Sequence, residues 1–413
     1  MQSFQRSSKL IFAAFVLVGS LIAFLLSPTQ ASADPDHVTL TWTGDVRTTQ
    51  TVTWRTGFTI KPGRVEYREA NSLFPQGGDQ MTAEVQGLAT NVGNMSIHSV
   101  TLTGLKPGTR YLYRVGDGTS WSEQYQFTTA ADYGQSFKFL VFGDSQSINY
   151  LAWRTTLHTA YMANQDVAFF INVGDLVDVG QDYKEWNAWL GASKGVIDTI
   201  PVVPVVGNHE TYTPNRTYSM PKFFTVQLKV PNNGPEGLTG QVYSFDYGNI
   251  HFSVLDSQAG EERGFVPDML ELQKAWLEKD LKATDKMWKV ILIHRPLYHN
   301  RPKDSDGDLR EAFLPLIDKY QVDVVFSGHD HVYGRSYPLR GGVIDKLNGT
   351  IYVTAGRSGT KTYQRAMAKD HNEVFYNPVD ESNYLTVEVS GSTMTVKVFQ
   401  RSGFLLDEWS LEK

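Results

Sequence analysis

The chain has no cysteine. It therefore has no disulfide, and its fold must rest on a packed core. It also has no thiolate to offer a metal, which excludes zinc-finger-type sites. No long basic run appears: 38 Lys and Arg stand against 44 Asp and Glu, a formal charge of −6. That balance argues against nucleic-acid binding by the whole surface, and no nucleic-acid partner is expected. A small anionic ester in a local site is not excluded. No repeat of fixed period is visible. The 413 residues suffice for two or three domains, and ordinary apolar and charged fractions allow a large core.

One long apolar run is present, at the N-terminus. Arg6 and Lys9 precede the stretch from Leu10 to Leu26, Pro28 breaks it, and Ala31-Ser32-Ala33 follows as a small-x-small cleavage site. The run has 17 residues, the lower limit of a membrane span at about 17–25. Residues 1–33 thus read as a signal peptide cleaved before Asp34, giving a secreted chain without a stable span. The alternative is an uncleaved N-terminal anchor.

The chain is organised around Asp175, at the end of Val167-Ala-Phe-Phe-Ile-Asn-Val-Gly174. So short and apolar a run reads as a strand buried on both faces. Gly174 permits a tight turn, and Asp175 then sits at the carboxyl end, where α/β sheets bind ligands. The device recurs in Phe137–Gly143-Asp144, Pro201–Gly207-Asn208-His209-Glu210 and Val322–Gly328-His329-Asp-His331. Trp288–Ile293 ends in His294 without the glycine. One Gly-Asp after a strand is weak, since turns favour both residues. Five strand ends carrying oxygen and imidazole donors to one edge of a sheet point to a metal site.

Residues 34–130 look all-β, with alternating strands and Gly and Pro turns, as in a β-sandwich. A short polar junction follows at 131–136, which restricts motion between domains. From 137 to 413 strands alternate with helical patterns over Tyr150–Ala163, Tyr183–Leu190, Pro267–Ala283 and Leu309–Tyr320. Pro315 should kink or delay the last of these. The Pro-, Asn- and Gly-rich stretch 211–240 is expected to frame the site rather than join core elements. Gly248-Asn249 reads as the turn of a hairpin.

The segment Leu102–Val115, with its Pro-Gly turn and following tyrosines, resembles the fibronectin type III pattern, with Tyr111 or Tyr113 at the corner. The favoured reading is a domain that packs against the rest of the chain. The alternative is a carbohydrate- or protein-binding module. The strand-end motifs, in their order, resemble the calcineurin-like metallophosphoesterase superfamily. With the preceding sandwich they look like its purple acid phosphatase branch. The resemblance implies a β-sandwich followed by a four-layer α/β/β/α domain, an α+β and α/β combination. It implies two metal ions per chain, of iron, manganese or zinc, and a phosphate ester substrate. Asp144, Asp175 and His331 would hold the first ion. Asp175, Asn208, His294 and His329 would hold the second. His209 would protonate the leaving group or bind phosphate, with Glu210 orienting it. A metal-bound hydroxide would attack phosphorus. Those roles suit the chemistry, since two close cations need one anionic bridge, and Asp175 is the natural bridge.

Two positions depart from the family. Asp178 stands where purple acid phosphatases have a metal-binding tyrosine, so no tyrosinate-to-iron colour is expected. Gln146 stands where other members of the superfamily have histidine. Gln146 either ligates through its carbonyl or orients a water. Asp178 is an oxygen ligand, an acceptor behind the ligands, or a helix N-cap. Arg295 either clamps phosphate or pairs with a carboxylate. His299 either touches substrate or is an exposed loop residue. His251 reads as structural, and His37, His98, His158 and His371 carry no functional reading. The leading function is an exported dinuclear phosphomonoesterase. The alternatives are a phosphodiesterase or nucleotidase, and a non-catalytic surface-binding protein whose site has degenerated.

Overall fold

The computed structural model of the chain describes residues 34–71, 77–132, 134–302 and 307–413. The signal-peptide reading falls on residues 1–33, outside the described residues. Among the described residues, no helix is long and apolar enough to cross a membrane.

The first unit is a sandwich of two antiparallel sheets. One runs in the order Asp36–Thr41, Gln50–Gly57, Gly93–Leu102, Glu84–Thr90. The other runs Asp79–Thr82, Arg64–Glu69, Arg110–Gly116, Tyr125–Thr128. Alternate residues point inward, as a period of two requires. Leu40, Val52, Trp54, Val65, Leu102, Tyr113, Val115 and Phe127 meet in one core. Of the two candidate tyrosines, Tyr111 makes the corner, its hydroxyl accepting from Lys106 N at 2.9 Å. Tyr113 instead donates to Asp198 O at 2.8 Å, across to the second unit.

The second unit contains two large sheets, face to face. The six-stranded sheet has the order Val202–Pro204, Val167–Asn172, Phe137–Phe142, Asn383–Ser390, Thr393–Gln400, Leu405–Glu412. Its first three strands are parallel and the rest antiparallel. The seven-stranded sheet has the order Tyr243–Tyr247, Ile250–Leu255, Trp288–Ile293, Val324–Ser327, Ile351–Ala355, Tyr333–Ser336, Asn372–Tyr376. Its central four strands are parallel. Phe139, Val141, Phe169 and Ile171 of one sheet pack on Phe252, Val254, Val290, Leu292 and Phe326 of the other. The outer faces are covered by helices. Leu140, Phe142 and Phe170 meet Trp153 and Leu157 of Leu151–Ala163, and Trp186 and Trp189 of Tyr183–Ser193. Ile291, Ile293 and Val325 meet Leu277 and Leu281 of Met269–Ala283, and Phe313 and Ile317 of Gly307–Tyr320. The architecture is α/β/β/α. Strands covered on both faces explain the nearly unbroken apolar runs in the sequence.

Three local expectations change. The helix Gly307–Tyr320 continues through Pro315, forgoing the one backbone bond that proline cannot donate. The stretch 211–240 does contribute to the core: its short helix Lys222–Gln227 buries Phe223, Phe224 and Val226 against the first helix layer. The metal-motif strands do not belong to one sheet. Three lie in the six-stranded sheet and two in the seven-stranded one.

The sandwich is locked onto the second unit. Trp42 joins the core between the two large sheets, its ring 5.5 Å from that of Phe169. Leu88, Val92, Met95 and Ile97 pack among the helices over the six-stranded sheet. Arg55 bonds both Asp36 and Asn187. Asn91 accepts from Tyr183 N at 2.8 Å and donates to Asp182 Oδ1 at 2.7 Å.

Candidate metal centre

The five strand ends converge where the carboxyl edges of the two sheets meet. Asp144, Asp175, His329 and His331 have φ of 48°, 54°, 68° and 54°, four of the eight non-glycine residues at positive φ among the described residues. Side chains rarely adopt this conformation, and its clustering is typical of functional sites. Surrounding bonds hold it. Asp144 accepts from His329 N at 2.9 and 3.0 Å, and Asp175 Oδ1 accepts from His209 N at 2.9 Å. Two glycines make the approach possible. At Gly174 (φ 94°) an added Cβ would lie 2.4 Å from His294 Nδ1, and at Gly207 one would lie 2.3 Å from Asp175 Oδ1.

Two buried groups result, Asp175–His294–His329 and Asp144–Asp175–His331, with the donor atoms of each within 4.8 Å of one another. Asp175 belongs to both. Asn208 joins the first group: its Oδ1 lies 3.2 Å from His294 Nε2 and 3.0 Å from His329 Nδ1. Its amide donates to the Tyr212 hydroxyl at 2.9 Å, which aims the carbonyl inward. His294 Nδ1 is 2.8 Å from Val173 O, so Nδ1 carries a hydrogen and the ring is held with Nε2 facing the centre. His331 Nε2 lies 3.2 Å from Asp144 Oδ1, and its ring stacks on Tyr363 at 4.4 Å.

The electrostatics call for positive charge beside Asp175. Burial lowers the His294 imidazole, but Asp175 outweighs it and raises the pKa to about 9. Burial, with the charges of His294, Arg295 and Arg301, holds His329 well below the usual range, so it is neutral. A divalent cation would replace the proton on His294. The donor set of carboxylate, amide oxygen and imidazole suits manganese, iron or zinc. Gln146 Oε1 and His331 Nδ1 are buried here with no hydrogen-bond partner, and Asp178 Oδ1, also without a regular hydrogen bond, sits against the Lys361 ammonium. Uncompensated buried oxygen at such a site fits a hydrated ion. The residues present fit a bound metal, with Asp175 common to both candidate groups.

The remaining sequence candidates fall as follows. Gln146 is buried and donates its amide to Asp175 Oδ2 at 3.0 Å. Asp178 lies outside both donor groups. It pairs with Lys361, and its Oδ1 is 3.2 Å from His209 Nδ1. It caps no helix, for Asp182 holds that place before Tyr183–Ser193. The hydrogen bond from His209, helped by Lys361, keeps Asp178 well below the usual carboxylate range. His209 Nδ1 also donates to Asp178 O at 2.6 Å. Burial lowers His209, but Asp175 and Asp178 prevail and raise it.

Glu210 does not orient His209. Its carboxylate accepts from Gly207 N, Asp175 N, Leu176 N and Val177 N at 2.7, 2.9, 2.8 and 3.2 Å. The two residues open a short 3-10 turn, His209–Thr211, where adjacent side chains face apart. Burial and the charge of Asp175 push Glu210 up to about 7. Arg295 pairs with Glu261 at 2.6 Å and bonds Gln258 at 3.3 Å. His299 is buried rather than exposed, 3.2 Å from Asp330 Oδ1. Sequence reasoning missed Lys361, Tyr363, Arg301 and Tyr212. Lys361 Nζ stands 3.2 Å from His209 Nε2. Arg301 contacts His329 Nε2 at 2.6 Å and lies 4.2 Å over the Tyr363 ring. Gly356 after Ile351–Ala355 repeats the strand–glycine device and was the available signal.

Comparison with known proteins gives a consistent set. Residues 35–129 match the purple acid phosphatase N-terminal domain, and residues 137–333 match the calcineurin-like phosphoesterases. Purple acid phosphatase 23 of Arabidopsis thaliana is 28% identical over 64% of this chain and 62% of its own length. The chain thus spans less than two thirds of that plant relative. An uncharacterized protein of Mycobacterium tuberculosis is 27% identical over 78% of this chain and 68% of its own. The structure of a purple acid phosphatase from yellow lupin seeds superimposes with a TM-score of 0.76 at 20% identity, covering 92% of this chain and 74% of that one. That likeness speaks to the fold.

Proposed function

The chain belongs to the calcineurin-like metallophosphoesterases that carry a purple acid phosphatase N-terminal domain, and from that premise we propose an exported enzyme that holds two metal ions and hydrolyses phosphate monoesters. The observation that carries the reading is the sharing of Asp175 by two buried donor groups. Asp144, Asp175 and His331 would hold one ion, and Asp175, Asn208, His294 and His329 the other. Bound there, the ions would lower the pKa of water and neutralise phosphoryl charge. Gln146, through its bond to Asp175 Oδ2, fixes the orientation of the bridge and leaves its buried Oε1 unpaired beside the site. His209 is anchored at Nδ1 by Asp178. Its Nε2, 3.9 Å from Asp175 Oδ2, is the atom that would deliver a proton to the leaving oxygen. Asp178 acts through His209 rather than on a metal.

Export rests on the N-terminal pattern, and the absence of cysteine is compatible with it. A site degenerated to surface binding would have shed several donors, whereas the bridge Asp175 and the set of Asn208, His294 and His329 are intact. The test is metal analysis and turnover together. Protein reconstituted with manganese, iron or zinc should bind two equivalents and hydrolyse monoesters faster than diesters. Fewer than two equivalents, or turnover of diesters alone, would refute the proposal.

A further inference from the structure

The strand Ile351–Ala355 leads through Gly356 into a loop, residues 356–363, that walls the metal centre. Its backbone is fixed to the Asp144 loop. Ser358 N donates to Gly143 O at 2.7 Å, Gly359 N to Asp144 O at 2.9 Å and Thr360 N to Gln146 O at 3.2 Å. Arg357 is buried, and its guanidinium bonds the carbonyls of Gly359, Pro378 and Val379 at 2.6, 2.8 and 3.2 Å. On this rigid base Tyr363 lies against His331, and Lys361 reaches Asp178 and His209. The Lys361 ammonium and Asp175 Oδ2 approach the same His209 nitrogen, Nε2, at 3.2 and 3.9 Å. The Lys361 side chain is 34% exposed, so its head can be reached from solvent.

We propose that Lys361 is a substrate-binding residue that selects terminal, doubly charged phosphates over singly charged diesters. The proposal rests on the phosphoesterase reading and deepens it. A monoester carries about −1.5 to −2 at neutral pH, and a diester carries one charge. Attraction to a point charge scales with the charge it meets. An ammonium has three donors. Asp178 engages one, leaving the others for the extra unesterified oxygen of a monoester. Asp178 also holds the long side chain in place beforehand, so less ordering is needed on binding. The local charge supports this. Arg301 at His329 and Arg216, 3.9 Å from Asp178 Oδ2, ring the same mouth on a chain that is acidic as a whole. Such a concentration focuses the field on an anion.

The test compares wild type with Lys361→Met and Lys361→Arg, each reconstituted with the same metal. Metal content checks folding. Turnover is read on 4-nitrophenyl phosphate and bis(4-nitrophenyl) phosphate, and the affinity for inorganic phosphate is read by calorimetry. Lys361→Met should weaken phosphate binding by about 10–100-fold, the scale of one charge-assisted hydrogen bond. The monoester-to-diester ratio of kcat/KM should fall at least about tenfold, and Lys361→Arg should restore most of it. Equal losses on both esters, matched by Asp178→Asn, would mean that Lys361 only positions His209, and would overturn the proposal. Unchanged phosphate affinity would overturn it as well. Phosphate binding that depends on Lys361, in a protein that hydrolyses neither ester, would defeat the functional reading and leave this one standing.

Discussion

The two large sheets bring different chemistry to the same edge. The six-stranded sheet supplies the candidate oxygen donors, Asp144, Asp175 and Asn208, and the seven-stranded sheet supplies the candidate imidazoles, His294, His329 and His331. Neither sheet holds a complete site. The oxygen side is braced as a unit, because Glu210 gathers four backbone N–H groups from two of its loops. The nitrogen side is braced residue by residue. His294 is fixed by Val173 O from the opposite sheet, His329 meets Arg301, and His331 lies on Tyr363. The difference teaches that the centre is a junction. Metal binding should cement the sheets together, and faults on the two sides should have different symptoms.

The largest effect is expected at the shared bridge. Asp175→Asn should lose both ions and cut turnover by on the order of 10³-fold or more, since both cations depend on it. The rise in Tm that metal gives wild type should vanish too. A mutant with two bound ions and full turnover would end the junction picture. His209→Ala removes an oxygen-side group that is not a donor. It should keep both metals and lose about 10²–10⁴ in rate, less for a nitrophenolate leaving group. Equal losses for good and poor leaving groups would reassign His209 to phosphate binding.

Glu210→Ala strips the brace from the oxygen side. With several buried N–H groups unpaired, denaturant unfolding should show a loss of roughly 2–4 kcal/mol, and both ions should dissociate faster. Loss of only the ion at Asp144 and His331 would mean the loops are braced separately. Gln146→His places an imidazole on the oxygen side. The ion at Asp144 and His331 should survive chelator dialysis longer than in wild type. If it does not, position 146 is too firmly tied to Asp175 to turn toward a metal.

The smallest effect belongs to the nitrogen sheet alone. His251, between Asp246 and Asp280 at 2.7 and 2.9 Å, is lowered by burial but raised by these partners to about 9. Its folded pKa exceeds the unfolded value of about 6.5. Its contribution, roughly 1–3 kcal/mol, is full below pH 6.5 and disappears as pH rises through about 9. The unfolding free energy of wild type should fall over that window, and His251→Asn should flatten the fall. An unchanged slope in the variant would place the titration elsewhere.

The convergence of the candidate donors was legible because each sits at the end of a local pattern, an apolar strand and then a turn. The division between two sheets was not. Strands such as Val167–Asn172 and Trp288–Ile293 are apolar on both faces, so their sequences do not say which sheet they join. Glu210 was misread because adjacency in sequence was taken for adjacency of side chains. Lys361 and Tyr363 follow the same strand–glycine device at Gly356, yet neither is a usual metal donor, so that signal was passed over. Asp178 was read against a tyrosine it replaces. Its partner Lys361 lies far along the chain, and such a pair emerges only from the fold.

The sandwich has a consequence for synthesis. Emerging first, it presents Trp42, Leu88, Met95 and Ile97 before the helices and sheets that cover them exist. The rest of the chain completes a surface already waiting, much as a cast sets against a mould. Residues 137–413 made alone would lose the apolar cover that Trp42, Leu88, Met95 and Ile97 give to the two cores they join. That fragment should collect in the insoluble fraction, and supplying the sandwich as a separate chain during refolding should recover part of it.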